Sequence, residues 1–212
     1  MIKDYLASLL EKDNFWYLLG LLCLLSVLSL FITHDIIITE PQYFTGGNQN
    51  SVKLYRQVYF ALYFVQPLYC FIKVLIIAGL LNFGLQSIKI KVSFKQLMLV
   101  VIVAKLVYWM QDLSKVIWFL FINTSYTMQD VDYFSFLSLQ NLISPDISGG
   151  YKLIVQFISI PELLFILTLV LGLQVLANES FSRMAKVTLS TYGIAMFLSL
   201  LIRSYMLHQV TF

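Results

Sequence analysis

The residues best placed for chemistry are the three charged side chains that lie deep within one long apolar stretch, Phe94–Phe121. Lys105, Asp112 and Lys115 interrupt a run that is otherwise apolar enough and long enough to cross a bilayer. At about 100° per residue, Lys105 and Asp112 nearly superpose on one helix face, and Lys115 lies within about 80° of both. Ionisable groups at membrane depth are costly and normally face a bundle interior. The stretch therefore predicts a helix with one polar face that requires partners.

A further intramembrane acid, Glu162, follows Pro161 in a later apolar stretch. Lys105 lies about 14 Å beyond the predicted start of its helix near 96, and Glu162 about 16 Å beyond the predicted start of its own near 151. In a hydrocarbon core of about 30 Å these depths coincide, so we predict a Lys105–Glu162 ion pair. Pro161 inside that helix would free a backbone carbonyl, which a polar core tolerates better than lipid does.

Other residues extend this predicted polar core. Tyr108 continues the polar face, and Asp112 can pair with Lys115 at i,i+3. Lys73 lies near the middle of another apolar stretch, where it either snorkels to an interface or joins the cluster. Pro67, in the same stretch, predicts a second helix irregularity.

Three roles are open for these intramembrane charges. They can hold the helices in register as polar contacts between them, form a proton or ion path, or provide a docking face for another membrane subunit. We favour the first role. Replacing the Glu162 carboxylate separates the first two, because a path depends on the charge for transport whereas a packing contact depends on it for assembly.

The composition is that of an integral membrane protein. Of 212 residues, 59% are hydrophobic and 12% are charged, against about 25% charged in soluble domains. The formal net charge of +3 is small and spread along the chain, so nucleic-acid binding is not indicated. Cys23 and Cys70 both lie in apolar stretches, where we read them as small hydrophobic residues rather than a disulfide pair.

Hydropathy predicts an all-α, polytopic bundle of five transmembrane helices forming one membrane domain. The predicted spans are 15–33, 58–83, 96–122, 152–176 and 184–206. The segment 1–13 has apolar residues at helical spacing among charged ones, which predicts an amphipathic interfacial helix; a polar N-terminus that continues the first helix is the alternative.

The basic residues predict an orientation. The connection 84–95 contains three lysines, and 177–183 with the start of the next span contains Arg183 and Lys186, whereas 123–151 contains neither Lys nor Arg. The positive-inside rule makes the two basic connections cytoplasmic and the loops 34–57 and 123–151 external. Four basic residues on the predicted outer side, Lys53, Arg56, Lys152 and Arg203, go against this orientation. With five spans, the N-terminus is then inside and the C-terminus outside.

A short pattern occurs twice. Gly84-Leu85-Gln86, followed by Ser93-Phe94, matches Gly172-Leu173-Gln174, followed by Ser180-Phe181. Each copy lies between two predicted spans, and the span before each copy contains a proline. The pattern predicts two helical hairpins of the same orientation, related as a parallel repeat. Chance recurrence in so restricted an alphabet is the alternative.

The motifs of common enzymes are not found. The sequence has no H-E-x-x-H, G-x-S-x-G, P-loop or dinucleotide fingerprint, so we expect neither an enzyme nor a cofactor. His34, Asp35 and Glu40 could in principle hold a metal in an outer loop, but a solvated loop is the better interpretation, and we expect no metal.

The layout resembles the Yip family, named for Ypt-interacting proteins, and in particular its bacterial members. The resemblance lies in the amphipathic lead, five spans, a polar loop after the first, and the sequences VSFKQLMLV and ESFSRMAKV before spans three and five. The DLYGP-type signature of the eukaryotic branch does not occur, so a trafficking role is not carried over. The resemblance implies a non-catalytic subunit or adaptor in the bacterial inner membrane, in contact with lipids and other membrane subunits or copies of itself.

Overall fold

The computed structural model describes residues 15–33, 49–124 and 158–210, with positions 126, 130, 131, 134, 137 and 138 of the connection between the last two ranges. Within these residues the chain forms five helices and no strand longer than one isolated bridge. The predicted interfacial helix over 1–13 and the three candidate metal ligands His34, Asp35 and Glu40 lie outside the described residues.

The five helices follow the chain in order. Helix α1 is Phe15–Phe31, α2 is Gln49–Ser87, and α3 is Phe94–Ile117 with a π-helical turn over Trp118–Ile122. Helix α4 is Ile160–Ala177. Helix α5 has three consecutive parts, Phe181–Thr188, a π-helical turn Leu189–Gly193, and Ile194–Val210.

The all-α membrane fold expected from the sequence is confirmed. Helices α2 to α5 each contain a segment long and apolar enough to cross a membrane, and α1 is an apolar helix of 17 residues. Two helix starts differ from the predicted spans. Helix α2 begins at Gln49, inside the predicted outer loop 34–57, and α4 begins at Ile160 instead of near 152.

The helices pack in a ring around an apolar core. Helix α3 packs against α2 and α4, α5 packs against α4 and α2, and α1 lies across α2 and α3. The fully buried residues come from these packed faces, and examples are Val74, Leu81, Leu97, Phe165 and Leu169. Because lipid is as apolar as these side chains, their close fit rather than avoidance of water favours this packing.

Two glycines allow the helices to approach closely. A Cβ on Gly84 of α2 would lie 2.5 Å from Thr191 Cγ2 and 2.9 Å from Val187 Cγ1 of α5, and a Cβ on Gly172 of α4 would lie 2.5 Å from Val100 Cγ1 of α3. Gly84 and Gly172 are equivalent in the predicted repeat, and so are Val100 and Val187. Each hairpin thus inserts its valine against the other hairpin's glycine. The repeat remains a prediction, and this reciprocal contact supports it.

We expect Gly172→Ala to destabilise the protein. The added methyl group would overlap the Val100 side chain, and overpacking of this kind costs about 1–3 kcal/mol. Gly79→Ala in α2 is the matched control, since nothing lies within 4 Å of a Cβ there; it should be neutral or stabilising by up to about 1 kcal/mol. Thermal unfolding in detergent micelles measures both. Val100→Ala should partly rescue Gly172→Ala, and equal stability of the two glycine variants would contradict the contact.

Candidate functional site

The polar face of α3 points into the bundle. Lys105, Tyr108 and Asp112, at positions i, i+3 and i+7, line one cavity of about 100 Å³. This spacing places the three side chains on one helix face, as the sequence predicted. The cavity lies between α1, α2 and α3, so the polar face of α3 is turned towards neighbouring helices of the same chain.

Helix α2 presents a matching face to this cavity. Gln66, Tyr69 and Lys73 line it from the opposite side, again at i, i+3 and i+7. The Lys73 ammonium lies 4.2 Å from the centre of the Tyr69 ring, a cation–π contact. Lys73 thus lies at the cavity that Lys105 and Asp112 also line.

Helix α1 contributes a hydrogen bond to Asp112, the acid on the polar face of α3. The Ser29 hydroxyl donates to Asp112 Oδ2 at 2.6 Å. Lys115, one turn along α3, interacts electrostatically with the same carboxylate, as its i,i+3 position predicts. Asp112 therefore has one neutral donor from another helix and one cation from its own.

Glu162 is held by two tyrosines. Its side chain is only 6% exposed. The Tyr108 hydroxyl donates to Oε2 at 2.5 Å, and the Tyr192 hydroxyl donates to Oε1 at 2.9 Å. Both tyrosine rings also pack on Phe165. The centre of the Phe165 ring lies 5.0 Å from that of Tyr108 and 5.2 Å from that of Tyr192. This Glu162 centre joins α3, α4 and α5, and Tyr108 links it to the cavity.

The predicted Lys105–Glu162 ion pair is not formed. Among the described residues Lys105 takes part in no salt bridge, and both Glu162 oxygens accept from tyrosines. The prediction failed because the depth of Glu162 was counted from a helix start near 151, whereas α4 begins at Ile160. Glu162 is in its first turn, about 22 Å from the far end at Ala177, which is the level of Tyr108 in α3 and about one turn beyond Lys105.

The sequence contains the signal that places this start. Ser159 is the N-cap of α4, and its hydroxyl accepts from the Glu162 backbone N–H at 3.4 Å. Ser-x-x-Glu is a capping-box pattern. Proline is favoured in the first helical turn, because the N–H donor that it lacks would have no intrahelical acceptor there. Pro161 is therefore a helix-start residue, not the predicted irregularity inside a span. Pro67, by contrast, lies within α2.

Tyr192 is the site residue that sequence reasoning missed. It lies in the π-helical turn of α5, where the wider turn is typical of functional positions and displaces the following residues around the helix. A tyrosine in the middle of an apolar span was the available signal. Buried tyrosine hydroxyls need a polar partner, and Glu162 is that partner here.

A second, larger cavity is apolar. It has a volume of about 560 Å³ and lies along α1 and α2, lined among others by Val27, Phe31, Tyr63 and Pro67. Its lining suits a lipid chain, and the lipid contacts expected from the sequence remain a prediction. Within the described part of the chain, no three His, Cys, Asp or Glu residues are grouped so that they could hold a metal ion.

Comparison of the chain with family models, with curated proteins and with solved structures returned no match.

We expect Tyr108→Phe and Tyr192→Phe each to lower the free energy of unfolding by about 1.5–3 kcal/mol, since each removes a hydrogen bond to a buried carboxylate. Tyr17→Phe is the control, because Tyr17 is 72% exposed, and should change stability by less than about 0.5 kcal/mol. Unfolding in mixed micelles measures all three. In a Glu162→Gln background both effects should shrink. Unchanged effects there would show that the hydroxyls matter for another reason.

Proposed function

We propose that this chain is a non-catalytic integral membrane subunit or adaptor whose internal polar cluster fixes the arrangement of its helices. The observation that carries the proposal is the Glu162 centre, which joins α3, α4 and α5 through Tyr108 and Tyr192. The Ser29–Asp112 hydrogen bond joins α1 to the same α3 face. The polar groups thus engage other helices of this chain.

A membrane environment gives such contacts particular weight. An apolar side chain gains little free energy by moving from lipid to a neighbouring helix. Polar contacts and close packing therefore determine which helices pair. An acid facing lipid would cost on the order of 3 kcal/mol or more. A carboxylate with two hydroxyl donors, each from a different helix, therefore selects one arrangement of α3, α4 and α5.

The proposed setting is the bacterial inner membrane, with the N-terminus inside. The basic connection after α2, with Lys89, Lys91 and Lys95, and the Arg183 and Lys186 of α5 support this orientation by the positive-inside rule. The bacterial location follows from the Yip-like layout of the sequence. Partner membrane subunits or self-association belong to the same proposal.

One observation favours a second function, a transporter or channel subunit. Lys105 and Asp112 line a polar cavity, and Tyr108 lies between that cavity and Glu162. Hydroxyl and carboxyl groups in series are the elements of a proton path. In this alternative Lys105, Asp112 and Glu162 are the intramembrane ion or proton site.

We expect Glu162→Gln to reduce stability and the yield of folded protein, because a neutral amide replaces the acceptor of two hydrogen bonds. Glu179→Gln is the matched control: Glu179 forms an exposed i,i+4 ion pair with Arg183 at 2.6 Å and its loss should cost less than about 1 kcal/mol. Melting in micelles and proton flux into proteoliposomes with an internal pH dye are both recorded. Full stability with lost flux would overturn the packing role and favour the path.

Purification in mild detergent, followed by native mass spectrometry, tests the adaptor role directly. We expect one other membrane protein, or a second copy of the chain, in a fixed ratio. An unrelated tagged membrane protein of similar size, purified from the same membranes, is the control. A homogeneous monomer carrying only lipid would contradict the proposal.

A further inference from the structure

The polar cavity between α1, α2 and α3 is lined by more cations than carboxylates, two lysines against the single acid Asp112. Lys73 of α2 and Lys105 of α3 both line it. Because both side chains face this one small space, their positive charges repel each other. Among the described residues neither ammonium takes part in a salt bridge. A counter-charge would stabilise two like charges that face one space inside a membrane bundle.

The carboxylates nearby are already occupied. Asp112 accepts from Ser29 and interacts with Lys115, and it lies about 10 Å along α3 from Lys105. Both Glu162 oxygens accept from tyrosine hydroxyls. These acids moderate the positive potential without neutralising both lysines: Lys73, Lys105 and Lys115 outnumber Asp112 and Glu162 by one charge.

The cavity has the size and donors for a small anion. Its volume of about 100 Å³ holds a few water-sized particles. The Gln66 amide and the Trp109 indole, both hydrogen-bond donors, also line it. Several donors around two ammonium groups could replace the hydration shell of an anion. The space is too small for a metabolite.

We propose that this cavity binds one small monovalent inorganic anion, such as chloride, between the ammonium groups of Lys73 and Lys105. The bound anion offsets the repulsion between the two lysines and thereby links α2 to α3. The inference rests on the internal polar cluster of the proposed function, yet it requires neither a partner subunit nor transport. Water filling the cavity without an anion is the competing occupant.

Trp109 provides a local probe for the test. The chain has three tryptophans, so replacing Trp16 and Trp118 by Phe leaves Trp109 as the single emitter. The full chain, purified in detergent and chloride-free gluconate buffer, is titrated with bromide, which quenches indole fluorescence. We expect saturable quenching that chloride competitively reverses. A variant retaining only Trp16, which is 73% exposed, should show linear collisional quenching.

Two variants locate the anion. Lys105→Met in the single-Trp109 chain should weaken apparent bromide affinity about tenfold or more, the loss expected for one charged hydrogen bond. Lys91→Met, which changes an exposed lysine in the connection after α2, should leave it unchanged. If Lys105→Met does not fold, Lys73→Met serves instead, and the chain with native lysines should melt higher in chloride than in gluconate.

Linear quenching of Trp109, or saturable quenching that chloride does not reverse, would overturn the anion site and leave water as the occupant. Failure of the adaptor proposal is a separate result, because a chain that purifies alone can still show saturable, chloride-reversible quenching. Proton flux likewise has no bearing on the fluorescence result.

Discussion

The arrangement of this bundle depends on the burial of one carboxylate away from water. Moving a carboxylate into a low-dielectric interior costs several kcal/mol unless hydrogen bonds replace its hydration. Glu162 meets this requirement through Tyr108 and Tyr192, which reach it from two other helices. If any of the three helices slid or rotated by one residue, at least one hydroxyl would be lost. The carboxylate thus fixes both depth and rotation, which apolar packing in lipid fixes weakly.

Close packing fixes the other end of the same helices. Gly84 and Gly172 lie in the last turns of α2 and α4, close to the short connections, and each accommodates a valine of the neighbouring hairpin. The Glu162 centre lies about 15 Å from Gly172 along α4. Two separated contacts of different kinds, one polar and one steric, constrain the crossing of two helices far more than either contact alone.

The sequence predicted what depends on local pattern and missed what depends on long-range fit. Apolar runs indicated the helices, and the i, i+3, i+7 spacing of Lys105, Tyr108 and Asp112 indicated their shared face, which lines one cavity. The Lys105–Glu162 pair failed because a hydropathy window cannot separate a helix from the apolar chain before it. The Ser159–Glu162 capping pattern carried that boundary. Tyr192 depends on how α5 rotates, and no local signal gives that rotation.

The two hairpins carry different polar chemistry at corresponding positions. The second halves of the two hairpins align with Ser93 on Ser180, and this alignment places Lys105 on Tyr192. The first halves align with Gly84 on Gly172, and this alignment places Val74, the residue after Lys73, on Glu162. The second hairpin therefore has a tyrosine where the first has Lys105, and a carboxylate at the position next to the one that aligns with Lys73. Helix α1 packs against α2 and α3 of the first hairpin, and its Ser29 donates a hydrogen bond to Asp112 there. Helix α1 thus adds a polar contact to the hairpin whose predicted spans carry three lysines, Lys73, Lys105 and Lys115, and one acid, Asp112.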